Sequence, residues 1–124
     1  LVWHAFADMM GGEIYVKKIP SMRVPEVAAV VAPEAKQKTV GIRPGEKLHE
    51  QMIGIEDAPF TFEYPEHYKI LPQINDWFEC PERIKDGKPV AENFVYASDS
   101  NPDWMSPEYL AAWIVENQGK IGKI

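Results

Sequence analysis

Apolar residues along the chain change spacing from segment to segment, and each spacing names an element. Val2, Ala5, Phe6 and Met9 recur at intervals of three and four, the spacing of one helical face. Gly11-Gly12 ends that helix, because glycine takes the left-handed cap conformation freely. No capping residue precedes it, so LVWHAFADMM reads as mid-helix, the trailing end of something longer. Glu13 to Val16 predicts a short strand, and Lys17 to Met22 a loop. Val24, Val27, Ala28 and Val31 then line one face of a second helix, with Pro25 in its first turn and Pro33 closing it.

Lys38 to Ile53 is the stretch around which the rest is organised. Thr39, Val40 and Ile42 predict a short strand, Pro44-Gly45 a tight loop, and Glu46 to Ile53 a helix with an acid in its first turn. Phe60, Phe62 and Tyr64 alternate with Thr61 and Glu63, and Pro65-Glu66 leads to Tyr68 and Ile70. That pattern predicts a hairpin, whose proline and charges suit an edge position. Pro72 to Glu92 shows no firm period and reads as irregular connection. Phe94 to Ala97 predicts a last strand, and Asp99 to Pro102 a turn. Ser106-Pro107-Glu108 opens a final helix with Leu110, Trp113 and Ile114 as its buried stripe. Gly119 is expected to end it and Lys120 to Ile124 to fray. The expected fold is α/β, or α+β if judged alone: a single domain over 1–124 with short strands and three or four helices around a small core.

Composition narrows the function classes. A net charge of −6 argues against general nucleic-acid binding, which needs a basic surface. Cys80 is the only cysteine, so no internal disulfide or cysteine-based metal cluster forms, and a reducing cytoplasm suits it. No run of about 18 apolar residues appears, so no membrane span is expected. No basic stretch followed by an apolar block opens the chain, so no secretory signal is expected either.

Most catalytic motifs are excluded by spacing. Three residues separate Gly41 from Gly45, and Leu48 follows Lys47, which breaks the phosphate-loop pattern. There is no Gly-x-Gly-x-x-Gly, so no dinucleotide fold begins here. Ile53 stands where a zinc-protease helix would carry its second histidine after His49-Glu50. His4, His49 and His67 share no ligand spacing, and the serines lack a nucleophile elbow. No catalytic, cofactor-binding or metal-ligating residue is assigned.

Arg43 and Glu46 remain. The arginine brings a planar fork suited to phosphate, Glu46 accepts from hydroxyls, and a helix mouth at Glu46 would add free amides. That is the chemistry of a sugar phosphate or nucleotide sugar site. The alternative is a surface ion pair between the same two residues, worth under about 1 kcal/mol. Lys18 and Ser21 could also reach an anion, though a solvated loop accounts for them as well. Trp77, Phe78, Trp104 and Trp113 read as core or interface rather than as a base-stacking platform.

GGEIYVKKIPSM, KTVGIRPGEKLHEQMI, YKILP and FVYASDSNPDWMS together resemble the C-terminal part of the inverting UDP-N-acetylglucosamine 4,6-dehydratases, extended short-chain dehydrogenase/reductases of bacterial polysaccharide and flagellin-sugar pathways. The resemblance runs in order across nearly the whole chain. Lys17 departs from it, where the family carries Pro before the lysine of KIPSM. It implies that an NADP-binding Rossmann half and the catalytic residues lie outside this chain, so this chain would not catalyse alone. It also implies that Arg43 and Glu46 contact a UDP-sugar. The residues allow a second outcome, a free-standing interaction module that no longer binds sugar. Its bare face at Val2, Phe6 and Met9 would then be covered in a homodimer or a domain-swapped pair, so a homo-oligomer is expected.

Overall fold

A computed structural model describes residues 1–74 and 76–121 of the chain. Among the described residues, four helices and two small antiparallel sheets form a mixed α/β architecture, as expected. In chain order the elements begin with Val2–Asp8 (α1), Ile14–Lys17 (β1), Val24–Val31 (α2) and Gln51–Ile53 (β2). Thr61–Glu63 (β3), His67–Ile70 (β4), Pro81–Ile84 (α3), Lys88–Pro89 (β5), Tyr96–Ala97 (β6) and Pro107–Ile121 (α4) complete them. The larger sheet has the order β1-β4-β3-β5, and β2 pairs with β6 in the smaller one.

The hairpin β3–β4 forms, but it occupies the middle of the sheet and not its edge. All four residues of β4 are buried. The pleat divides them between two different environments. Tyr68 and Ile70 join Val16, Ile53 and Tyr96 in the apolar core, against which Phe60, Val90 and Phe94 pack. His67 and Lys69 point the other way. The charges that suggested an edge strand are matched within the fold.

α1 supplies that match. Lys69, only 2% exposed, donates from Nζ to Asp8 at 2.8 Å. The Tyr15 hydroxyl donates to the same carboxylate at 2.7 Å, and Lys85 joins it. Burial alone would raise the Asp8 pKa, but the hydrogen bonds from Lys69, Lys85 and Tyr15 outweigh it and hold the carboxyl well below the usual range. Beside this cluster, buried Arg83 pairs with Glu13 and donates to the Gly11 carbonyl at 2.9 Å. The Tyr64 hydroxyl donates to the Ile84 carbonyl at 2.6 Å, and burial near the Asp8 charge pushes its pKa up to about 12. The Tyr64 ring stacks on His67 at 4.7 Å. The opposite side of α1 stays open: Val2, Trp3 and Phe6 are 66%, 86% and 67% exposed.

The last helix departs from expectation at its end. Ser106 caps it, with the Tyr109 amide donating to Ser106 Oγ at 3.2 Å. It runs through Gly119 to Ile121, so Gly119 does not stop it and Lys120 is helical. The remainder of the expected frayed tail, 122–124, lies outside the described residues. Leu110 and Ile114 are half-buried, whereas Trp113 stays 41% exposed. Among its described residues the segment 72–92, read as irregular connection, contains α3, β5 and the 3₁₀ turn Trp77–Glu79.

Candidate functional site

Between α2 and β2 the chain makes a long surface excursion, and here the local expectations fail. No strand forms at Thr39–Ile42 and no helix at Glu46–Ile53. Val40, Ile42 and Leu48 are exposed, so the β-forming residues have no partner strand to pair with. Eight residues make a marginal helix in water without packing. Gln51–Ile53 pairs with Tyr96–Ala97 instead, where Ile53 becomes wholly buried. The helix mouth that was to supply amides to an anion is therefore absent.

The turn itself is present. The Glu46 amide donates to the Arg43 carbonyl at 3.1 Å, closing a β-turn around Pro44-Gly45. Gly45 has φ +87°, the left-handed value a type II turn requires at that position. The Arg43 amide donates to Glu46 Oε2 at 2.9 Å, and Arg43 Nε lies 3.8 Å from Glu46 Oε1. The structure thus brings the two sequence-named residues together as an open pair, 83% and 51% exposed. Most of the Arg43 fork faces solvent.

Lys47, the next residue, begins one wall of a groove of about 740 Å³. Lys47 to Glu50 form that wall, Met22 to Pro25 face it, and Ser98, Asp99 and Trp104 complete it. A smaller hollow of about 200 Å³ shares Met22, Glu50 and Ser98 with the groove and extends under Tyr96 and Asn101. The Ile19–Met22 segment is braced from behind. Ile19 exchanges two hydrogen bonds with the Tyr96 hydroxyl, at 2.8 and 2.9 Å. Asn101 Nδ2 donates to the Ile19 carbonyl at 2.8 Å.

Neither of the two additional anion donors suggested by sequence is available. Lys18 is 2.6 Å from Glu63 and lies over the Tyr68 ring, and Ser21 is buried against Asn101. Two groove residues were missed. Arg23 stands 5.7 Å from the Trp104 ring, which is half-exposed and not part of the core. The available signal was position: Trp104 falls in the irregular DWMSP, outside any periodic element that would bury it.

Residues 1–72 match the family described as Polysaccharide biosynthesis protein. The chain belongs to that family. Two proteins from Campylobacter jejuni, each described as UDP-N-acetylglucosamine 4,6-dehydratase (inverting), are 41% and 40% identical to it over 92% of its residues. The chain spans 36% of each of those relatives. The crystal structure described as Pen from Bacillus thuringiensis superimposes with a TM-score of 0.75 over 95% of this chain and 35% of Pen, at 22% identity. That likeness shows a shared fold. This member of the polysaccharide biosynthesis family thus carries the similarity to the inverting dehydratases that KIPSM and GIRPGEKLHE had indicated.

Proposed function

We propose that this chain is the nucleotide-sugar-holding region of an inverting UDP-N-acetylglucosamine 4,6-dehydratase, and that it takes no part in the bond-breaking chemistry. Arg43 holds the diphosphate through its fork, and Glu46 accepts from a ribose or sugar hydroxyl. The observation that carries the reading is an Arg43 guanidinium largely in solvent on a closed turn, next to the groove that starts at Lys47. The 41% identity to a dehydratase over nearly the whole chain supports the choice of ligand. The ion pair within the turn does not compete strongly with a diphosphate, because an exposed pair is worth under about 1 kcal/mol.

The resemblance implies NADP in the complete enzyme. Among the described residues the named strands pair antiparallel throughout, with no Gly-rich strand-to-helix turn of the kind that seats a dinucleotide. We infer from the same resemblance that the cofactor would be held by polypeptide outside this chain. Calorimetric titration of UDP-N-acetylglucosamine into the full-length gene product and its Arg43→Ala variant tests the assignment. At least tenfold weaker binding in the variant is expected, and equal affinity removes Arg43 from the site.

The open face of α1 favours a second reading, in which this chain is a self-associating module. Val2, Trp3 and Phe6 form an apolar patch that a second copy would cover. Light scattering at dilute concentration decides it: a clean monomer rules out the dimer.

A further inference from the structure

α1 is attached to the sheet through polar groups. No residue of Val2–Asp8 is buried, and the side chains of Val2, Trp3 and Phe6 face solvent. Asp8 ties the helix down by accepting from Lys69, Tyr15 and Lys85, and the His4 ring meets His67 edge-on at 4.9 Å. Two features beneath the helix work against that attachment. His67 Nε2 is buried with no hydrogen-bond partner among the described residues, an arrangement that native folds rarely keep. Lys85 has φ +52° and ψ −121°, the first central position of a type II′ turn that the Gly87 amide closes onto the Ile84 carbonyl at 3.0 Å. Glycine is the ordinary occupant of that position, so the turn is strained while the Lys85 ammonium stays on Asp8.

His67 is where a proton would act. It faces His4 and Asp8 from α1, Tyr15 and Lys17 from β1, Tyr64 and Glu66 from the β3–β4 turn, and Lys69 from its own strand. The two carboxylates in that set are already taken. Asp8 is shared by Lys69 and Lys85, and Glu66 accepts from Lys17 at 2.9 Å. A charged His67 therefore has no free counter-charge among these groups, and its neighbour across the interface is a second imidazole. We propose that α1 is a proton-released clasp: a charge on His67 expels the helix from β1 and β4 while the apolar core stays closed. The core can stay closed because Val16, Tyr68 and Ile70 pack on Ile53 and Tyr96, away from the face that α1 covers. Desolvation, then His4 and Lys69, hold the His67 pKa below 6.5 while the helix is docked, and release returns water to the ring. The released form thus binds the proton more readily, so release grows as pH falls below 6.5, by up to about tenfold per pH unit. Departure of Asp8 also frees the Lys85 turn to relax. The clasp is independent of the sugar site at Arg43.

The test is hydrogen exchange read by mass spectrometry on the full-length gene product at about pH 7.5 and 5.5, with rates corrected for the intrinsic effect of pH. The amides of α1 should lose about tenfold in protection at the lower pH, while those of β3 and β4 keep theirs. His67→Phe keeps a ring of similar size and removes the proton-binding group, so α1 should then be protected alike at both pH values. Equal protection of α1 at the two pH values in wild type overturns the proposal, as does an α1 already unprotected at the higher one. A tenfold loss that persists in His67→Phe assigns the proton to another group and also overturns it. So does a parallel loss in β3 and β4, which would be unfolding of the whole domain. Should His67→Phe fail to fold, His67→Gln, which is neutral at both pH values, is read in the same way.

Discussion

Lys69 in the centre of the sheet and Asp8 at the end of α1, 61 residues apart in sequence, form a buried ion pair at 2.8 Å. This contact, with the hydrogen bonds of Tyr15 and Lys85, fastens the helix to the polar face of β1 and β4. Its two partners should respond differently to removal. Asp8→Asn leaves the Lys69 ammonium buried without a counter-charge and should destabilise by about 3–5 kcal/mol. Lys69→Met leaves Asp8 with Lys85 and Tyr15 and puts an apolar chain of similar length in the same space. It should cost less than half as much. Urea denaturation of both variants checks this, and equal losses would show that the ammonium is not uniquely dependent on Asp8.

Acid should loosen the same layer in two stages. His67 Nε2 is buried with no hydrogen-bond partner among the described residues, and desolvation, then repulsion from His4 and Lys69, lowers its pKa below the ordinary 6.5. The unfolded chain therefore binds the His67 proton more readily, so stability is complete above pH 6.5 and falls as pH drops below it. Asp8 adds a second loss. Its folded pKa is depressed, so its contribution is present above about 3.9 and disappears as pH falls further. Thermal unfolding from pH 8 to 3 should show a decline that begins near 6.5 in wild type and is reduced in His67→Phe. An identical slope in the variant would exclude His67 as the source.

The fold was legible wherever a single periodicity reported a single environment. Tyr68 and Ile70, two residues apart, do share the apolar core, and Ser106-Pro107-Glu108 marks the start of α4 correctly. β4 defeated the same logic because both of its faces are buried, one apolar and one ionic. A lysine in a strand reads as solvent-facing unless its partner is known, and Asp8 lies too far away in sequence to be seen. The Arg43 loop failed in the opposite way. Thr39, Val40 and Ile42 have strand propensity, but propensity without a neighbouring strand fixes nothing, and β6 had already paired with Gln51–Ile53. Pro44-Gly45 was readable because a turn depends on two residues alone. The groove at Trp104 was not, since it assembles from four separate segments.

Gly45 should matter for binding and very little for stability. Nothing stands within 4 Å of where a Cβ would be, so Gly45→Ala meets only the strain of holding alanine at φ +87°. That strain is about 1 kcal/mol, and an exposed turn can shed it by opening locally. The midpoint of urea denaturation should therefore move hardly at all. Affinity for UDP-N-acetylglucosamine should fall, because the turn no longer holds Arg43 and Glu46 in register. Unchanged affinity would mean that the turn geometry is irrelevant to the ligand.

Gly87→Ala should behave in the opposite manner, with a large loss of stability. A Cβ there would sit 2.5 Å from the Tyr64 hydroxyl oxygen and 2.6 Å from its Cζ. The phenol cannot swing aside cheaply. Its hydroxyl donates to the Ile84 carbonyl, and its ring is stacked on His67 with the Lys69 ammonium 5.0 Å from its centre. Moving it disturbs the polar layer that fastens α1, and overpacking of this kind costs about 1–3 kcal/mol. The same displacement should reach the Lys69–Asp8 pair, so Gly87→Ala and Asp8→Asn should combine less than additively. A double-mutant cycle by urea denaturation measures the coupling, and strict additivity would show that Tyr64 yields without involving the ion pair.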